Sequence, residues 1–229
     1  MPNEIQTEVQ TEIHPFQALE PVVQSEISRY TKRLHVKKGE MLFTGDELQR
    51  YFYIIVHGKV KNYQMNLNNA KEQTIFILRE GDMFDTITLL DGEPHDVMYE
   101  ALEETELLQL PLETVRELIR TNESFNRMFF PYLAKQMRHI EELATDLSLY
   151  STSERLIKLL IENLDPSKRL KFDLLQGLSN TEIAKLIGTV RHVVERHLKA
   201  LKEDGSIDTK HKNVQILDTS KLLDKINFF

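Results

Sequence analysis

The sequence predicts an α+β chain: an N-terminal β sandwich or barrel, one long helix, and a C-terminal unit of short helices followed by a β wing. Three observations carry that expectation. Between Leu34 and Leu110, short apolar or alternating runs are punctuated by Gly and Asn at intervals of roughly 8–12 residues, as in a β sandwich or barrel. From Ser124 to Leu149 there is no glycine, and apolar residues recur by threes and fours. Beyond Tyr150 the texture is helical again, with Ser-x-x-Glu capping signals at Ser151 and Ser179.

Composition bounds the rest. At 229 residues, 41% of them hydrophobic, the chain has material for one large domain or two small ones with a real core. It holds no cysteine, which excludes disulfide staples, thiolate zinc and iron–sulfur sites, and a cysteine nucleophile. The longest purely apolar run, Tyr51 to Val56, is far short of the ~20 residues a membrane span requires. The start Met1-Pro2-Asn3-Glu4 has neither a basic nor an apolar region, so a cytoplasmic chain without a secretion signal is expected. Charge is uneven. Residues 151–229 carry fourteen Lys/Arg against eleven Asp/Glu, a net of +3, leaving fifteen against twenty-five, or −10, in residues 1–150. An acidic body with a mildly basic C-terminal third suits a focused nucleic-acid-binding end rather than indiscriminate coating.

Residues 1–15 are polar and read as a flexible tail. Phe16, Leu19, Val22, Val23 and Ile27 recur at helical spacing and open a β-roll domain over 16–122. Its strand-like runs are MLF, YFYIIV, VKNYQM, QTIFIL, MFDTITLL and ELLQL, and Gly39, Gly45, Gly58, Gly81 and Gly92 fall at the breaks between them. Leu112 to Asn122 reads as a helix closing this domain. Over 123–149 a second helix carries the stripe Phe130, Leu133, Met137, Ile140, Ala144 and Leu147 at coiled-coil spacing. One reading lays this stripe on the chain's own β domain. The favoured one makes it a dimer interface, because the stripe is too long for a small β-roll to cover. Pro131 is expected in the first turns or at a kink. In 150–229, Ser151 and Glu154 cap a helix containing Leu156, Ile157 and Leu160, Asp165-Pro166 ends it, and RLKFDLL reads as a strand.

The most informative segment runs from Leu178 to Ile207. Ser179 and Glu182 cap a short helix whose apolar face is Ile183, Ala184 and Ile187, with Ala184 small enough for a second helix to cross closely. Gly188 permits a tight turn. Val190, Val194, Leu198 and Leu201 form the buried stripe of the next helix, leaving Thr189, Arg191, His192, Glu195, Arg196 and Lys199 outward. A helix, a glycine turn and a second helix exposing arginines at its start form the arrangement that reads DNA in the major groove, and Lys202 to Ile207 leads into a wing. A three-helix core with a solvated charged face is the alternative. Arginine at the start of the second helix can bind guanine O6 and N7 as a fork, and the helix N-terminus favours a nearby phosphate.

The order KGE, GD, YIIVHGKV, EGDMF, a long helix and then TEIAKLIGTVRHVVERHLKAL resembles the CRP/FNR family of bacterial transcription regulators over about residues 16–210. The resemblance implies a cyclic-nucleotide-binding-type β-roll, a dimerisation helix, a C-terminal winged helix-turn-helix, a homodimer reading two half-sites of duplex DNA, and RNA polymerase as a further partner. It also places an effector pocket at Phe84, Asp85, Thr86, His95, Asp96, His139 and Ile140. Family members that bind cyclic AMP carry Gly-Glu and then Arg at this site. Here Asp85-Thr86 and His95-Asp96 stand instead, so two acids face the phosphate with no arginine, which argues against cyclic AMP. The oxygen-sensing branch needs cysteines that this chain lacks. A haem cofactor sensing a gas is chemically allowed, with Pro2, His95 and His139 as candidate ligands. The resemblance implies a guanine contact by Arg191 or Arg196 and phosphate contacts by Ser179, Thr181 and Lys199. Where the family's recognition helix carries Glu and a small residue, this chain has His192 and Glu195, which implies a different operator. No enzyme is expected: no His-x-His occurs between Leu34 and Leu110, and no P-loop, dinucleotide fingerprint or Ser/His/Asp set is apparent. No metal site is expected outside haem. A signalling module that binds a small molecule or a protein, without reading DNA, is the remaining class.

Overall fold

The computed structural model describes residues 20–42, 45–164, 174–210 and 213–226. The expected tail and Pro2 lie outside them, as do Phe16 and Leu19 and most of RLKFDLL. Leu174 and Leu175, the described end of that run, are buried in a turn rather than a strand.

Helix α1 (Pro21–Tyr30) starts with proline, where the missing N–H has no helical partner to lose. Strands β1 (Lys32–Val36) and β2 (Met41–Leu42), the helical turn α2 (Gly45–Leu48), β3 (Tyr51–His57), β4 (Lys59–Asn66), β5 (Lys71–Arg79) and β6 (Met83–Phe84) follow. After helix α3 (Thr86–Asp91) come β7 (Met98–Ala101) and β8 (Thr105–Pro111). They make two four-stranded sheets of order β1-β8-β3-β6 and β2-β7-β4-β5, the expected β sandwich. β3 pairs antiparallel with β8, with Phe52 opposite Leu110 and Ile54 opposite Leu108.

β3 reads as an unbroken apolar run because both of its faces are covered. Phe52, Ile54 and Val56 enter a core with Val23 and Ile27 of α1, while the alternate Tyr53 stacks on Phe84, which stacks on Tyr99. Gly58 joins β3 to β4 at φ +98°, and a Cβ there would lie 2.7 Å from the Glu104 carbonyl, so this connection requires glycine.

Helix α4 (Leu112–Thr121) and the long helix α5 (Glu123–Leu149) pack on the same core through Val115, Leu118, Phe125 and Phe129. Each such side chain contributes about 1.5–3 kcal/mol by leaving water. Pro131 lies in the third turn of α5, deeper than expected, and both it and Arg127, whose carbonyl loses a partner, are exposed where solvent replaces the bond. The Tyr132 hydroxyl pins α5 to β6, donating to the Met83 carbonyl at 2.9 Å and accepting from the Met83 N–H at 2.8 Å.

A further expectation fails. MFDTITLL is a strand only at Met83–Phe84. Asp85 then caps α3 by accepting from the Ile87 N–H at 3.1 Å, and α3 ends at Gly92. The β-branched composition of that run concealed an N-cap aspartate.

The chain divides into two compact units, Met1–Asn62 with Ile77–His139, and Tyr63–Phe76 with Ile140–Phe229. The second contains α6 (Thr152–Glu162), α7 (Asn180–Leu186), α8 (Arg191–Glu203), the antiparallel hairpin β9 (Ile207–Lys210) and β10 (Asn213–Ile216), and α9 (Thr219–Leu223). Ser151 and Glu154 form a complete capping box at the start of α6. No helix among the described residues is long and apolar enough to cross a membrane.

Candidate functional site

Residues 179–203 form a helix, a glycine turn and a second helix. At the start of α7 the Ser179 hydroxyl accepts from the Glu182 N–H at 3.3 Å, and the Glu182 carboxylate accepts from the Ser179 N–H at 2.5 Å. The Ser179 hydroxyl is thus engaged in the cap, whereas Thr181 is exposed. Gly188 makes the turn at φ +67°, and the Thr189 N–H donates to the Ala184 carbonyl at 2.8 Å to close it. A Cβ on Gly188 would lie 2.5 Å from Leu147 Cδ2 and 3.0 Å from Gln73 Oε1. The turn is held from the β4–β5 hairpin as well. Glu72 pairs with Lys185 at 2.6 Å, and Gln73 Nε2 donates to the Leu186 carbonyl at 3.1 Å.

Ile183, Ala184 and Ile187 are buried, as are Val194, Leu198 and Leu201. Val190 is not: it precedes α8 with an extended backbone, which turns it off the helical stripe and leaves it half-exposed. The opposite face of α8 presents Arg191, His192, Glu195, Arg196 and Lys199 to solvent. Five residues named from the sequence, Ser179, Thr181, Arg191, Glu195 and Lys199, line one groove of about 620 Å³, while Thr189, His192 and Arg196 lie off it. Arg191 and Arg196 stand about 140° apart around the helix, so they address different parts of any partner.

Electrostatics organise this face. The Arg191 Nε donates to Glu195 at 2.6 Å, and that bond holds the Glu195 carboxyl below the usual carboxylate range. His197 Nε2 meets the Thr152 hydroxyl at 3.0 Å, tying α8 to α6, and burial lowers its pKa. At the base of the wing, hydrogen bonding from Ser206 and Lys225 pulls Asp204 down to about 2.

A second cluster lies in the β sandwich. Phe84, Asp85 and Thr86 are buried together, and His95 reaches them from the segment before β7. The Asp85 carboxylate meets His95 Nδ1 at 2.9 Å and the Thr88 hydroxyl at 2.8 Å. The hydrogen bond to Asp85 raises the pKa of His95. Thr86 Oγ1 lies 3.5 Å from Gln136 of α5. The other residues expected here are placed differently: Asp96 is exposed, His139 half-buried on α5, and Ile140 exposed. Of the three candidate haem ligands, Pro2 lies outside the described residues, and His95 turns Nδ1 to Asp85. Among the described residues no group of three His, Cys, Asp or Glu side chains is placed to hold a metal ion.

Along α5, Phe130, Met137, Ile140, Ala144 and Leu147 are exposed, while Leu133 packs partly on the β-domain core. The sequence reading missed Asn180 and Lys202, which also line the α7–α8 groove, and it missed Glu72 and Gln73, which hold the turn. Lys202 was accessible from spacing, being seven residues beyond Glu195 on the same face. Glu72 and Gln73 carry no local signal.

Comparison with known proteins agrees with these features. Residues 33–122 match the cyclic nucleotide-binding domain, and residues 154–225 match the Crp-like helix-turn-helix domain. The chain is 29% identical over 206 residues to the cyclic AMP receptor protein of Thermus thermophilus, covering 88% of this chain and 90% of that one. It is 27% identical over 183 residues to a global nitrogen regulator of Nostoc sp., covering 77% and 80%. The structure of FixK2 from Bradyrhizobium japonicum shares the fold with a TM-score of 0.72 at 21% identity, over 85% of this chain and 96% of that one.

Proposed function

Because this chain belongs to the CRP/FNR family of transcription regulators, we propose that it acts as a homodimer reading two half-sites of duplex DNA, and that cyclic AMP is not its effector. The observation that carries the DNA-reading part is the turn closed around Gly188, which leaves Arg191 and Arg196 exposed in the first turns of α8. Arginine meets guanine O6 and N7 as a fork, and the N-terminal end of a helix favours a nearby phosphate. Thr181 and Lys199 flank the groove as contacts to the DNA backbone, Ser179 holds the helix cap beside them, and Thr189, His192 and Glu195 shape which bases are accepted. The relatives matched are regulators rather than enzymes, in keeping with a non-catalytic role. The setting is the cytoplasm, with RNA polymerase as a further partner.

Dimerisation is supported by the apolar side chains left exposed on α5, which recur at seven-residue spacing. The effector reading rests on Asp85. An anionic phosphate entering beside this buried carboxylate would meet an acid, and the imidazole facing it, His95, is already its partner. Relatives of this chain carry names as different as cyclic AMP receptor and nitrogen regulator, so membership does not fix the ligand.

Binding to a duplex of random sequence across a salt series tests the DNA reading. A log–log slope reflecting several phosphate contacts is expected, and a salt-independent or absent interaction would remove it. Haemin added to the same protein separates the remaining effector reading: a sharp Soret band lost in His95→Ala would favour a haem sensor.

A further inference from the structure

Glu195 is the one acid among the described residues lining the α7–α8 groove, set among Arg191, Lys199 and Lys202. A carboxylate there repels the phosphates that these cations attract, so it works against affinity. Nor does helix stability account for it. The Arg191–Glu195 pair is exposed, and an i,i+4 pair with the cation on the N-terminal side is the weaker orientation. Its geometry points elsewhere. Guanidinium offers a side edge, Nε with one Nη, and an end edge made by both Nη groups. Glu195 Oε1 takes the Nε hydrogen at 2.6 Å, which leaves the end edge for a partner. Asn180 of α7 lines the same groove beside this carboxylate.

We propose that Glu195 is a specificity-determining positioning residue: it fixes Arg191 as an end-on fork for one guanine in each half-site, and its charge disfavours duplexes that lack that guanine. The inference rests on the DNA-binding reading above. Repulsion aimed at wrong partners is a common way to gain discrimination at the expense of affinity.

The test uses the full-length chain. Wild type first selects its preferred duplex from a random pool, and each base pair of the selected half-site is then substituted. Anisotropy at fixed salt is read for wild type, Glu195→Ala, Glu195→Gln, Arg191→Ala and the double variant, with circular dichroism confirming that each is folded. Replacing the critical guanine should cost wild type about tenfold or more, and Glu195→Ala should shrink that penalty below about threefold. The same variant should bind unrelated duplex more tightly. Glu195→Gln keeps an acceptor oxygen, so it should retain the guanine preference while also binding unrelated duplex more tightly. Arg191→Ala should lose discrimination at the same base pair, and the double variant should be no worse there than either single one. An unchanged penalty in Glu195→Ala overturns the proposal. So do additive losses at two different base pairs, which would make Glu195 a base reader in its own right. A wild-type chain that selects no sequence removes the DNA-binding reading, and this inference with it.

Discussion

The Asp85 carboxylate sits 2.9 Å from His95 Nδ1, with Asp85 2% exposed and the His95 side chain 21% exposed. That pair makes stability pH-dependent with a definite sign. Asp85, Asp91 and Asp96 favour the charged imidazole and burial opposes it, with the Asp85 hydrogen bond the largest influence. The folded state therefore holds the proton more tightly than the unfolded chain. The stabilisation is full below the ordinary histidine value of about 6.5 and is lost as pH rises through the raised folded value. Replacing His95 by Gln should cost about 1–3 kcal/mol at pH 6 in urea denaturation and flatten the loss of stability above that pH. Identical pH profiles for wild type and variant would show that the pair is idle.

Cyclic AMP should not protect the protein against heat. A ligand present at a hundred times its Kd adds about 2.7 kcal/mol to folding, which a thermal melt resolves easily. At millimolar cyclic AMP the melting temperature is expected to stay where it was. An upward shift that disappears in Asp85→Ala would show that the buried carboxylate accommodates the nucleotide after all.

Gly188→Ala should damage the turn twice over. Alanine in the left-handed region costs about 1–2 kcal/mol, and its methyl would press on Leu147 Cδ2, 2.5 Å from the ideal Cβ position. A lowered melting temperature together with weaker duplex binding is the expected pair of readings. Wild-type values for both would mean that the turn tolerates a side chain.

The exposed stripe of α5 is tested by charge. Met137 is 66% exposed and Ile140 44%, and each would gain about 1.5–3 kcal/mol from burial in a partner, twice over in a symmetric dimer. Met137→Glu combined with Ile140→Lys should leave the chain folded but monomeric in sedimentation. A variant that sediments as wild type would place the interface elsewhere.

Local signals were legible in the sequence. Both capping boxes span four residues, so Ser151 with Glu154 and Ser179 with Glu182 could be read directly, and both form. Gly188 marked the turn for the same reason. Val190 was misread because periodicity alone cannot tell the last residue before a helix from the first residue within it. α3 was misread because Thr and Ile favour strands while Asp85 starts a helix. The Glu72–Lys185 pair joins residues more than a hundred positions apart, and no local pattern reports such a contact. The Asp85–His95 pair lies between: the sequence drew attention to both residues, but only the fold shows that they satisfy one another.

Fluorescence anisotropy of a labelled duplex bearing two half-sites about 10–10.5 bp apart, titrated with wild type and with Arg196→Ala, addresses the reading of DNA most directly. Two chains per duplex and a loss of about 1–3 kcal/mol in the variant are expected. One chain per duplex, or no binding by wild type even in dilute salt, would contradict it.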